Sequence, residues 1–150
     1  VCRHLKMILP DSVFLDGDWC WDADPFQVTE ETKEMVMDNI CHLLNNFLRC
    51  SAYKTVIFCW VMHEQTILDR ILGGIDIQNC DVRNISLVAD KETLRNRLEG
   101  DIRQEIRTED VIERSMSRLP FYRNLDTVKI DTSGKTIPEI AGEIITCSHF

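Results

Sequence analysis

Apolar positions along this chain change their spacing repeatedly, and each change predicts an element. In Val1–Leu9, Leu5, Ile8 and Leu9 share one helical face, and Pro10-Asp11 ends the segment. Ser12–Leu15 is a brief apolar run that closes on Asp16-Gly17-Asp18, which predicts a strand with carboxylates at its C-terminal end. From Thr29 to Cys50 the apolar residues Val36, Ile40, Leu43, Leu44 and Phe47 recur at helical spacing. Thr29 suits the N-cap there, and Glu30 and Glu31 suit the positive end of the helix dipole. Thr55–Met62 (TVIFCWVM) is continuously apolar and rich in β-branched and aromatic residues, the pattern of a strand buried on both faces of a parallel sheet.

A helix over Glu64–Leu72 follows and stops at Gly73-Gly74. Val82–Val88 reads as a second buried strand, and Lys91–Glu99 as a charged helix. Asp101–Asn124 is polar and arginine-rich, with a helical core from about Asp110. Thr127–Asp131 is the last strand and Ile137–Ile145 the last helix, with Pro138 tolerated in its first turn. Strands alternating with helices predict an α/β domain with a mainly parallel sheet. Ligands of such sheets bind at the C-terminal strand ends. Four of those ends are legible: Asp16-Gly17-Asp18, Met62-His63-Glu64, Ala89-Asp90 and Asp131-Thr132-Ser133-Gly134. No linker, internal repeat or low-complexity segment interrupts the chain.

Composition narrows what those ends can hold. The length of 150 residues suits a single domain with a sizeable core. Seventeen basic and 25 acidic side chains leave a net charge of -8, which argues against duplex nucleic acid or an anionic membrane as partner. A local basic cluster remains compatible with a small phosphate ligand. No apolar run reaches the ~18 residues a membrane helix requires. The seven cysteines lack any C-x-x-C spacing, so buried reduced thiols of a cytoplasmic protein are expected rather than a zinc or redox motif.

Three constellations carry candidate chemistry. Asp16 and Asp18, two residues apart at a strand end, are expected to point the same way, where they can organise Mg2+ or accept a hydroxyl proton. Trp19, Trp21 and Phe26 follow directly and suit the walls of a substrate pocket; the plainer alternative is a turn whose aromatics cover the sheet edge. His63-Glu64 directly follows a buried strand. His63 there can orient or deprotonate an acceptor hydroxyl, or the pair can simply open the next helix. The arginine set includes Arg95, Arg97, Arg103, Arg107, Arg114, Arg118 and Arg123, with Arg114 and Arg118 on one helical face. Converging guanidinium groups suit a phosphate clamp, and a solvated face paired with Glu105, Glu109, Asp110 and Glu113 is the alternative.

Taken in order, FLDGDWCWDADPF, VIFCWVMHEQ, RLEGDIRQEIRTEDVIERSMSRL and VKIDTSGKT resemble the small P-loop kinases, the group containing gluconate, shikimate and nucleoside monophosphate kinases. The nearest likeness is to bacterial nucleotide-kinase-like proteins and AAA-type ATPases in which a G-D-W-C-W-like segment recurs. The resemblance spans almost the whole chain and implies a three-layer, parallel-sheeted kinase fold as one domain, with residues 101–123 as a mobile lid. It implies Asp16 or Asp18 as base or magnesium organiser, with Asp18 toward the metal. Arg107, Arg114 and Arg118 would stabilise the transferred phosphoryl group. Trp19, Trp21, Phe26, His63 and Glu64 would line the acceptor pocket, and Arg103, Thr132, Ser133 and Gly134 would meet the nucleotide.

One departure stands out. The G-x-x-x-x-G-K-[ST] loop that cradles ATP phosphates in this group is absent, and VCRHLKMILP-DSVFLDGD resembles the helix after that loop joined to the next strand. The resemblance therefore implies an N-terminally truncated fold lacking the central first strand, which in such kinases lies between the strands matching Thr55–Met62 and Val82–Val88. Two uncovered sheet edges are expected, with self-association as one way of covering them. Two functions follow. One is an ATP- and Mg2+-dependent phosphotransferase acting on a small-molecule or nucleotide acceptor, inactive without its phosphate loop. The other is a non-catalytic module that keeps the pocket and binds a ligand or partner without turnover.

Overall fold

A computed structural model of the chain describes residues 1–106 and 108–148. They form an α/β fold that divides into two compact units, Val1–Val82 and Arg83–Phe150.

The first unit opens with α1 (Cys2–Ile8), whose buried Leu5 lies on the face that packs against the following strand. Strand β1 (Ser12–Asp16) runs into a 3-10 turn at Gly17–Cys20. Helix α2 (Glu30–Arg49) carries the apolar stripe seen in the sequence and buries Val36, Met37, Ile40 and Leu44. Thr29 and Thr32 cap its start reciprocally: each threonine hydroxyl accepts from the other's backbone N–H. Strand β2 (Thr55–Cys59) then pairs parallel with β1, in the register Ser12↔Thr55 to Asp16↔Cys59. Helix α3 (Gln65–Gly73) closes the unit, tied to α2 by the Arg70–Glu34 ion pair. The core is Leu15, Val36, Met37, Ile40, Leu44 and Ile71, with Phe47, Val56, Phe58 and Trp60 packed against it.

Strand β2 differs from the sequence reading in its end and in its burial. β2 stops at Cys59, so Trp60, Val61 and Met62 belong to the loop beyond it. All five β2 residues are half-buried instead of enclosed on both faces. The reason is topological: β1 is the only strand β2 pairs with among the described residues, and apolar composition does not report the number of neighbours.

In the second unit β3 (Ile85–Val88) pairs parallel with β4 (Val128–Asp131), register Ile85↔Val128 to Val88↔Asp131. Between them lie α4 (Lys91–Arg103) and α5 (Asp110–Arg123), and α6 (Ile137–Ser148) follows. Leu98, Val111, Leu125, Ile130, Ile140, Ala141 and Ile144 are buried. Helix α4 runs on to Arg103 where Glu99 was the expected end, because Gly100 is carried inside the helix and does not stop it. The observed strand pairing is therefore two separate parallel pairs, β1-β2 and β3-β4, each strand having one strand neighbour among the described residues.

Candidate functional site

Polar and aromatic groups gather where β1 ends. Asp16, the last residue of β1, turns its carboxylate back to accept the Asp18 backbone N–H (3.2 Å) and so caps the 3-10 turn. Asp18 lies inside that turn and accepts from the indole Nε1 of Trp60 at 3.1 Å. The expectation that the two carboxylates share a direction came from strand alternation, which holds only within a strand. Here the chain leaves β geometry at Gly17, so one carboxylate caps and the other anchors an indole.

Gly17 is what admits that indole. It is buried, and a Cβ at this position would stand 2.4 Å from Trp60 Cγ, so any side chain drives the ring away. Trp60 is thus the site residue that the sequence reading missed. Its one signal was position, immediately after the strand, but the continuing apolar run Trp60-Val61-Met62 concealed the strand end.

The three expected aromatics sit around this turn in two pairs. Trp19 meets Phe14 edge to face with centroids 5.2 Å apart, and remains 55% exposed. Trp21 packs on Phe26 at 4.5 Å, and Phe26 is itself well exposed. The Cys20 carbonyl accepts from Asn39 Nδ2 (3.1 Å), which fastens the turn to α2. Rings held at the base and open at the rim suit a planar or ring-bearing ligand. The His63 side chain is mostly buried, with Nε2 3.5 Å from Glu64 Oε1. Glu64, not His63, occupies the N-cap position of α3.

The end of the other sheet is held by a hydrogen-bond knot. Asp90 caps α4, its carboxylate accepting the Thr93 backbone N–H (2.7 Å) and hydroxyl (2.9 Å). The Asp90 backbone N–H donates to Ser133 Oγ at 2.9 Å. Thr132 is buried; its hydroxyl donates to the Val88 carbonyl (2.9 Å). Arg97 grips the same residue twice, Nη1 to Thr132 Oγ1 at 2.8 Å and Nη2 to the Thr132 carbonyl at 2.7 Å. Asp131 accepts the Ser133 N–H (2.9 Å), and Gly134 takes a φ of +67° that admits the turn. Both Asp90 and Asp131 are held below the ordinary aspartate range, Asp90 chiefly by the Thr93 N–H and Asp131 chiefly by the Ser133 N–H. Thr132 and Ser133, expected to face a nucleotide, thus spend these hydroxyl bonds on the protein itself.

The arginines divide. Arg103 lies in the last turn of α4, and Arg107 falls outside the described residues. Arg114 pairs with Asp110 one turn earlier (3.3 Å), with both side chains largely exposed. Arg118 lies near Tyr122, whose phenol burial pushes to a higher pKa against the pull of that cation. Arg114 also lines an open cavity of about 490 Å³ with Ile102, Glu105, Ile106, Thr108 and Val111. No group of three or more His, Cys, Asp or Glu among the described residues is placed to hold a metal ion. No described helix is long and apolar enough to cross a membrane.

Comparison with known proteins places the fold. No family model and no curated protein matches the chain. Among solved structures, the tunicamycin resistance protein of Deinococcus radiodurans is similar, with a TM-score of 0.75 and 18% identity over 99% of this chain and 89% of that one. At that identity the likeness is one of fold.

Proposed function

We propose that this chain carries the acceptor pocket and arginine-bearing segment of an ATP-dependent phosphotransferase of the small P-loop kinase kind, residues 1–150 themselves holding no G-x-x-x-x-G-K-[ST] loop. The observation that carries the reading is the strand pairing. β1 with β2 and β3 with β4 form two parallel pairs, and both β2 and β3 keep an edge without a strand partner among the described residues. That is the pairing a five-stranded kinase sheet leaves when its central strand is taken away. An isolated parallel pair is a marginal structure, so each pair is chemically suited to a further strand.

The roles follow from the residues at the strand ends. Asp16 and Asp18 are hard oxygen donors of the kind Mg2+ takes, each with one carboxylate oxygen engaged, by the Asp18 N–H and by the Trp60 indole, and Mg2+ that keeps waters and phosphate oxygens needs only one or two protein carboxylates. Bound there, Mg2+ would neutralise charge on the phosphates. Trp19, Trp21 and Phe26 hold the acceptor, and Arg114 and Arg118, with Arg103 and Arg107, neutralise the transferring phosphoryl group. Thr132, Ser133 and Gly134 shape the loop beside the nucleotide through their backbone, since Thr132 and Ser133 use their hydroxyls internally. A fold likeness to a protein named for tunicamycin resistance is compatible with a small-molecule acceptor.

A second reading draws on the same bonds. Asp18 is already engaged by Trp60 and the Thr132 hydroxyl by Arg97, which favours a pocket that binds without turnover. The polypeptide translated from the complete reading frame distinguishes the two. Incubated with Mg-ATP and a panel of hydroxyl and amino compounds, a phosphotransferase releases ADP in an acceptor-dependent manner. Quenching of tryptophan fluorescence by an acceptor with no ADP release favours the binding module. Micromolar binding of Mg-ATP to residues 1–150 would overturn the expectation that these residues, lacking the phosphate loop, do not bind ATP measurably.

A further inference from the structure

Asp18 is exposed, and its side chain makes one hydrogen bond among the described residues: Oδ1 accepts from the Trp60 indole at 3.1 Å. Oδ2 keeps no protein partner there. The donor is neutral, and residues 7–32 contain no Lys, Arg or His. An ammonium or guanidinium in the same place would hold the carboxylate and cancel its charge. The indole holds it and leaves the charge intact. The donor is also fixed in its turn. Trp60 directly follows β2 and packs against the core, and a Cβ on Gly17 would stand 2.4 Å from its Cγ. A carboxylate free to turn samples several rotamers, and a ligand that captures one of them removes that freedom at a cost. Here the cost is met during folding.

We propose that Trp60 is a positioning residue for a divalent cation at Asp18, its indole N–H anchoring Oδ1 so that Oδ2 is presented to the cation. The inference rests on the reading that Asp16 and Asp18 take Mg2+, and it adds the residue that turns an exposed carboxylate into an ordered ligand. Trp60 itself touches neither the cation nor a reacting atom. Ligating carboxylates are commonly held by such outer hydrogen bonds, whose loss costs about 10–100-fold in metal affinity. This bond is solvent-accessible, which places it at the low end, about tenfold. Gly17 takes part indirectly, because a side chain there drives away the ring that does the holding. The bond that engages Asp18 therefore prepares the carboxylate for a cation instead of blocking it.

The test is Mg2+ titration of the isotope-labelled chain, followed by NMR through the indole N–H signals. There are three tryptophans, and the signal missing from Trp60→Phe identifies the relevant one. The Trp60 signal is expected to shift saturably at millimolar Mg2+ while staying apart from the position of a water-exposed indole. Asp18→Asn keeps an acceptor for the indole but removes the charge, and should abolish the response. Mn2+ affinity, read from the EPR signal of the free ion, should fall about tenfold in Trp60→Phe under conditions where that variant is folded. A purely structural part for Trp60 would lower the unfolding midpoint and leave Mn2+ affinity unchanged. Equal affinity in the native chain and Trp60→Phe, with Asp18→Asn weakened, overturns this inference and leaves Asp18 a metal ligand. A Trp60 signal that moves to the water-exposed position as Mg2+ saturates overturns it as well, since the cation then displaces the indole. If Asp18→Asn binds Mn2+ as well as the native chain, or the native chain binds none, the metal reading fails and takes this inference with it.

Discussion

The indole N–H of Trp60 donates to Asp18 across 3.1 Å and joins the loop after β2 to the turn after β1. The bond is solvent-accessible, so its net worth is modest, while the ring beside it also packs on the core. Trp60→Phe keeps most of the ring and removes the donor. We expect a loss of about 1 kcal/mol in urea unfolding. A loss no larger than for an unrelated surface substitution would show that the bond holds nothing.

Two glycine substitutions should separate steric from backbone cost. Gly17→Ala places a Cβ against the Trp60 ring and is expected to cost about 1–3 kcal/mol by overpacking. Gly134→Ala meets nothing within 4 Å, so its expected cost of about 1 kcal/mol is that of a left-handed φ alone. Combining each with Trp60→Ala is diagnostic. The Gly17 penalty should shrink in that background, and the Gly134 penalty should not change.

Arg97→Ala removes both bonds to Thr132 and leaves a buried residue without its charged donor. The expected loss is about 2–3 kcal/mol in thermal or urea unfolding, with Arg97→Lys recovering part of it. Thr132→Val should lose less on top of Arg97→Ala than it does alone, because the partners act together.

Asp90 and Asp131 predict the acid side of the stability curve. Each carboxylate has a lower pKa in the fold than in the unfolded chain, so folding favours the ionised form. That contribution is complete above the ordinary aspartate range and is lost as pH falls through about 4 and on through the lower folded values. Asp90→Asn should lower the melting temperature at neutral pH. The gap from the wild type should narrow as the pH is taken below about 3. A gap independent of pH would mean the cap acts without its charge.

Much of this architecture was legible because period and punctuation agree locally. The α2 stripe of Val36, Ile40 and Leu44, its Thr29 cap, and the run from Val82 to Val88, of which Ile85–Val88 forms the strand, each state an element without reference to anything distant. What escaped depends on partners far along the chain. Trp60 reads as one more strand residue until Asp18 and Gly17 are seen against it. Arg97 is one arginine among many in a charged helix, and only the fold brings Thr132 to it. The apolar composition of β2 implied enclosure on both faces, yet enclosure depends on neighbouring strands that no local pattern encodes. For the candidate nucleotide loop, the residue types Thr132-Ser133-Gly134 were informative about the turn and silent about which hydroxyls the turn would consume.

The close seating of the Trp60 ring on Gly17 also constrains how the sequence can drift. Over evolutionary time the two positions are not independent: while tryptophan stays at 60, position 17 has no alternative to glycine, and a small aliphatic at 60 releases it to alanine or serine. Changing position 17 first drives a Cβ into the ring, whereas changing position 60 first leaves only a gap. Replacement is therefore expected at position 60 before position 17.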